Sequence, residues 1–126
     1  MSALDSLAQV RIVTEVLNAW ADGIRDHDSE RVAANFTADA LFQGVAPMHS
    51  LGRPGVFSYY DKQPAGLSPE YKIIEHRQLS DTALISFVDV DFTHADGVVI
   101  AVHLTAVLEF VDGSWLISHY HVSQVQ

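Results

Sequence analysis

In the last third of the chain, two turn signals, Ala95-Asp96-Gly97 and Val111-Asp112-Gly113, separate three runs that alternate with period two. Side chains in a strand point to opposite faces in turn, so this pattern fits an antiparallel meander. The spacing predicts strands over 70–79, 83–94, 98–110 and 114–124, each pairing with the next. In the third of these, one face carries Ile100, Val102, Leu104, Ala106, Leu108 and Phe110. The other carries Ala101, His103, Thr105, Val107 and Glu109. A sheet with one oily and one mixed face needs something apolar laid against it.

The first part of the chain supplies it. Leu7, Val10, Val13, Val16, Leu17, Trp20, Ala21 and Ile24 recur at spacings of three and four, which predicts a long helix with one buried stripe over 4–24. Asp28 or Ser29 caps a second helix, 30–36, and 40–43 reads as a short strand. Gly52-Arg53-Pro54 breaks the chain before a third helix, 55–61, with Phe57, Tyr59 and Tyr60, and 63–69 is a Pro/Gly loop. No repeat or boundary divides residues 1–126. The expected class is α+β: one domain in which a curved antiparallel sheet wraps a long helix and two shorter ones into a cone.

Charge and composition limit the chemistry. Sixteen acidic against seven basic residues give a formal net charge of −9, which repels phosphate backbones and anionic lipid, so nucleic acid and membrane are not expected partners. With no cysteine, disulfide and thiolate chemistry are excluded. No leader or spanning segment is read from the sequence, and a soluble cytoplasmic protein is the expectation. No cofactor is expected.

The order helix, helix, strand, helix, four-stranded meander, with Phe36-Thr37-Ala38-Asp39-Ala40-Leu41-Phe42, Gly52-Arg53 and the run from Asp112-Gly113-Ser114-Trp115 to His119-Tyr120-His121-Val122-Ser123, resembles the SnoaL-like branch of the NTF2-like (cystatin-like) superfamily. That superfamily includes polyketide cyclases, ketosteroid isomerase, dehydratases, epoxide hydrolases and a non-enzymatic kinase association domain. The resemblance puts Trp20 where the isomerases keep an oxyanion tyrosine, Ala106 at their oxyanion aspartate and Gly44 at their base. It also puts Ala106 and Val122 where the association domain keeps pocket arginines. Isomerase chemistry of that kind is therefore not expected.

The same resemblance implies a mainly apolar cavity. Trp20, Phe42, Leu84, Ser86, Val88 and Leu104 are its expected substrate-binding lining, with Ala106, Ser118 and Val122, and Val90, Val102, Leu108 and Leu116 face the same way. Tyr60 and Tyr120 are the candidate catalytic groups, as hydrogen-bond donors or weak acids, and His49, near the expected mouth, is a third. Each tyrosine also has a plain structural role open to it, as an amphipathic core residue.

Seven histidines invite a metal reading. If both turns are three-residue loops, Asp89 lies opposite His103, His103 opposite His121 and Thr105 opposite His119, on the face away from the cavity. Such a row could hold a metal, but a hydrogen-bonded strip in a subunit interface is the better reading, and no metal is expected. Trp115 and Ile117 fall on the same face, so the expected partner is a second copy, paired through Asp89, His103, Trp115, Ile117, His119 and His121. His27, His76 and His94 read as exposed or strand-edge. Two functions follow: an isomerase, cyclase or dehydratase acting on an apolar small molecule, or a non-catalytic dimeric binding or association domain.

Overall fold

The computed structural model describes residues 3–125. Its elements in chain order are α1 (Ser6–Arg25), α2 (Ser29–Ala34), β1 (Phe36–Gln43), β2 (Ser50–Leu51), α3 (Gly52–Asp61), β3 (Ser68–Ser80), β4 (Ala83–Thr93), β5 (Val99–Val111) and β6 (Ser114–Gln124). The six strands form one curved sheet in the order β2-β1-β6-β5-β4-β3. All neighbours are antiparallel except β1 and β6, which run parallel. No helix among the described residues is long and apolar enough to cross a membrane.

Helix α1 starts where Asp5 accepts a hydrogen bond from the Ala8 N–H at 2.8 Å, satisfying one of the free donors of the first turn. Its buried stripe runs Val13, Val16, Leu17, Trp20, Ala21 and Ile24. Leu7, expected on that stripe, is 82% exposed. The start of the helix is tied to β3 by polar contacts instead: the Leu4 N–H donates to Gln78 Oε1, and His76 Nδ1 pairs with Gln9 Oε1. Asp28, one of the two expected caps, accepts from the Arg31 N–H and opens α2. In α3, Pro54 sits in the first turn, where its missing N–H breaks no helical bond.

The inward faces of β4 and β5 agree with the sequence reading. Leu84, Ser86, Val88 and Val90 pair with Leu108, Ala106, Leu104 and Val102, and all eight are buried. Ser86 is satisfied by donating to the Ala106 carbonyl at 3.1 Å. The β4–β5 loop is the expected three-residue one, closed by the His94 N–H donating to the Val98 carbonyl and the Gly97 N–H donating to the His94 carbonyl.

The β5–β6 register differs from expectation. Val111 pairs directly with Ser114, so the turn has two central residues, Asp112 (φ 50°) and Gly113 (φ 87°), rather than three. Two successive positive φ values give the twist that suits a two-residue hairpin, and glycine takes the second without strain. The shorter turn flips the strand by one residue: Ile117, expected outside, pairs with Leu108 and is fully buried, while Leu116, expected inside, pairs with Glu109. Trp115 likewise turns to the inner side, where its ring meets Phe110 at 5.5 Å. A bulge at Ser118 then adds one residue and restores the expected faces for Tyr120 and Val122. Turn and bulge together shift the pairing by two, so His103 faces Ser123 and Thr105 faces His121. The Asp89–His103 pair is present at 2.8 Å, but the expected row through His121 is not.

Candidate functional site

Where the inner face of the sheet passes beyond α1, the cone opens into a cavity of about 230 Å³. Its wall comes from the end of β1 and the following loop (Gly44, Val45, Ala46), α3 and its loop (Tyr59, Tyr60, Gln63, Leu67), the β4–β5 hairpin (Phe92, His94, Ile100) and β6 (Tyr120, Val122). No Asp, Glu, Lys or Arg is among them. At about 30 Å³ per water, the space takes about eight waters or one compact bicyclic molecule.

The floor is a chain of aromatic polar groups. Trp20, fully buried in the C-terminal part of α1, donates its Nε1–H to the Tyr60 hydroxyl at 3.1 Å, and Tyr60 donates to the Tyr120 hydroxyl at 3.2 Å. Tyr120 accepts that bond, and its own proton has no acceptor among the described residues. Phe42 fixes the Tyr120 ring by stacking on it, centroids 4.7 Å apart and planes 16° from parallel. Burial in this apolar setting pushes the Tyr60 phenol up, against the opposing pull of the Trp20 N–H bond that it accepts. Burial raises Tyr120 well above the ordinary phenol value too, and the nearby Tyr60 adds to it. Both remain protonated donors at neutral pH and neither serves as a base.

Tyr59 closes the side of the cavity, its ring 5.0 Å from Phe42 and 5.1 Å from Tyr60. Its hydroxyl accepts from the Val45 N–H at 3.1 Å. Gly44 makes room for it: a Cβ there would lie 2.3 Å from Tyr59 Cζ. The position that the isomerase resemblance gives to a carboxylate base is thus taken up by a phenol ring.

Of the residues expected from sequence, the structure brings Tyr60, Tyr120 and Val122 to the cavity, with Trp20 and Phe42 packed directly behind. Leu84, Ser86, Val88, Leu104 and Ala106 are buried but lie outside the cavity lining. Ser118 is displaced by the bulge and points its hydroxyl at the Val107 carbonyl. His49 is exposed and lies outside the cone cavity, on a groove that it lines with Leu41, Gln43, His119, Tyr120 and His121. Tyr59, Gln63 and His94 were missed. For His94 a signal existed, because it continues the inward series Leu84, Ser86, Val88, Val90, Phe92.

Among the described residues no group of three or more His, Asp or Glu side chains is arranged to hold a metal ion.

The sequence matches the SnoaL-like domain over residues 13–126. The chain belongs to this family. Solved structures similar to the SnoaL-like chain include a protein from Xanthomonas campestris named for the calcium/calmodulin-dependent protein kinase II association domain, with a TM-score of 0.79, 21% identity and coverage of 98% of this chain and 93% of the other. A ketosteroid isomerase-like protein from Erwinia carotovora matches with a TM-score of 0.79 and 21% identity, over 94% of this chain and 97% of the other. A protein from Novosphingobium aromaticivorans named for scytalone dehydratase matches with a TM-score of 0.79 and 16% identity, over 95% and 86%. At these identities the likeness is one of fold. No curated protein is significantly similar in sequence. The SnoaL-like domain therefore has its architecture from its family and its chemistry only from its own side chains.

Proposed function

We propose that this SnoaL-like protein binds a neutral, mainly apolar small molecule in the cone cavity, with a carbonyl or other hydrogen-bond acceptor of the ligand against the Tyr120 hydroxyl. The observation that carries this is the relay from Trp20 through Tyr60 to Tyr120, which ends in a phenolic proton without a protein acceptor on the wall of an apolar cavity. Because Tyr60 already donates into it, the Tyr120 hydroxyl is polarised toward giving its own proton. The absence of charged side chains from the lining disfavours an ionic ligand, which would lose its hydration without a counter-charge. Isomerase, cyclase and dehydratase chemistry all use such a donor to hold negative charge building on oxygen.

The test is titration with 2-tetralone and 1-indanone, two compact bicyclic ketones, followed by chemical shifts of the Tyr120 and Val122 resonances. Saturable shifts confined to the cavity are expected, and weaker binding by Tyr120→Phe. Absence of binding by both ketones refutes the reading.

A second reading, a non-catalytic association domain, draws on the outer face of the sheet. There the pairings align Ile85, Val107, His119, Leu41 and Leu51 in one row across five strands. Leu41 and Leu51 are exposed, and Phe87 in the adjacent row is 40% exposed. A second copy covering this face is the occupant that fits, since a two-fold pairing hides the same patch on both chains. Sedimentation at micromolar concentration gives a dimer mass if this is right and a monomer mass if it is not.

A further inference from the structure

From the side chains around the cavity we infer that His94 is the proton acceptor of a carbon-acid reaction at this site, removing a proton next to a ligand carbonyl held by Tyr120. The inference rests on the binding reading above and adds turnover to it.

The cavity contains donors in excess of bases. Tyr60 and Tyr120 are spent on the relay and its terminal donor, Tyr59 accepts from Val45, and Gln63 donates its amide to the Tyr59 carbonyl at 3.3 Å. No carboxylate lines the space. A neutral imidazole has one ring nitrogen with a free lone pair, and His94 is the histidine that lines this cavity. The other histidines are used or placed elsewhere: His27 is bonded to the Gln63 carbonyl, His76 to Gln9 and His103 to Asp89, while His49, His119 and His121 line the outer groove. The His94 ring has no hydrogen-bond partner among the described residues. Its backbone, by contrast, is held on both sides by the hairpin, through its N–H to Val98 and its carbonyl from Gly97. A fixed backbone with an unengaged ring at the rim is the arrangement expected of a group whose partner is the ligand.

The step balances without a cofactor. The free imidazole nitrogen takes a proton from the carbon beside the carbonyl, so a C–H bond breaks and an N–H bond forms. The electron pair moves onto the carbonyl oxygen, and the Tyr120 O–H hydrogen-bonds the resulting enolate. The imidazolium then returns its proton to the same carbon or, in a conjugated enolate, to a carbon further along, giving exchange or isomerisation.

The experiment follows hydrogen–deuterium exchange of the acidic carbon positions of 2-tetralone and 1-indanone in D₂O by proton NMR, with binding measured in parallel. Exchange above the buffer rate is expected for the native protein. His94→Ala should lower it about 100-fold, the scale for one positioned base, with ketone binding still saturable. Added imidazole should restore exchange to His94→Ala, which a purely structural role for His94 would not allow, and His94→Gln should be as inactive as the alanine variant. Native protein that binds the ketones without accelerating exchange, or His94 variants that exchange at the native rate, would overturn the assignment and leave the binding reading standing. If neither ketone binds, the binding reading fails and this one with it.

Discussion

The relay predicts a crossed pattern for two substitutions that each remove one phenolic oxygen. In Tyr60→Phe the Trp20 Nε1–H loses its acceptor and Tyr120 loses its donor, so two hydrogen bonds disappear. Each is worth about 0.5–1.5 kcal/mol net, and a buried donor left without a partner adds about 1–3 kcal/mol. With Trp20 fully buried, no water reaches the orphaned indole, and the sum comes to roughly 2–6 kcal/mol of lost stability. Tyr120→Phe breaks one bond and leaves Tyr60, still bonded to Trp20, beside a cavity large enough for water to replace the lost acceptor. That variant should lose only about 0.5–1.5 kcal/mol of stability. Ligand binding should rank the other way. Tyr120→Phe removes the donor that meets the ligand and should weaken ketone affinity by roughly 2- to 13-fold, the same 0.5–1.5 kcal/mol expressed as a ratio. Tyr60→Phe keeps that donor and should bind within a small factor of native. Urea unfolding with fitted slopes, set beside ketone titrations, reads both quantities. Equal stability losses for the two variants, or a larger affinity loss for Tyr60→Phe, would refute the relay as the organising feature of the site.

Other expectations follow from the same geometry. Val122→Phe should fill the cavity and abolish ketone binding with the fold retained, whereas Ala106→Phe, in the packed core, should cost about 1–3 kcal/mol by overpacking; urea midpoints and ketone titration separate the two. Gly44→Ala should push the Tyr59 ring outward and break its bond to Val45, visible as a lost protection factor for the Val45 amide in hydrogen exchange. Because the folded state holds the Tyr60 and Tyr120 phenols above the ordinary value of 10, their contribution to stability should be flat below about pH 10. Above it the unfolded chain releases protons that the folded chain keeps, so stability should fall by up to about 1.4 kcal/mol per pH unit for each tyrosine. A flat urea midpoint through that range would contradict the burial described.

The parts of the structure that sequence made legible are those governed by local parity. The three-residue loop ending in Gly97 gave the β4–β5 register directly, and with it the inward series from Leu84 to Val90. Val111-Asp112-Gly113 fits a two-residue turn as well as a three-residue one, and no residue type marks the bulge at Ser118. Each irregularity inverts the faces once, which is why Leu116 and Ile117 were read the wrong way round while Tyr120 and Val122, beyond both, were read correctly. His94 has the right parity to face inward, but from sequence it reads as an exposed or strand-edge residue. The seat of Tyr59 against Gly44 depends on how α3 packs on the end of β1, a tertiary relation that no spacing in the sequence encodes.

The most direct test of the central claim is the infrared carbonyl stretch of 2-tetralone labelled with ¹³C at the carbonyl and bound to the protein. A hydrogen bond from the Tyr120 hydroxyl should lower the frequency below its value in hydrocarbon solvent, and Tyr120→Phe should return it toward that value with the ketone still bound. A bound-state frequency that is the same in the native protein and in Tyr120→Phe would contradict the account.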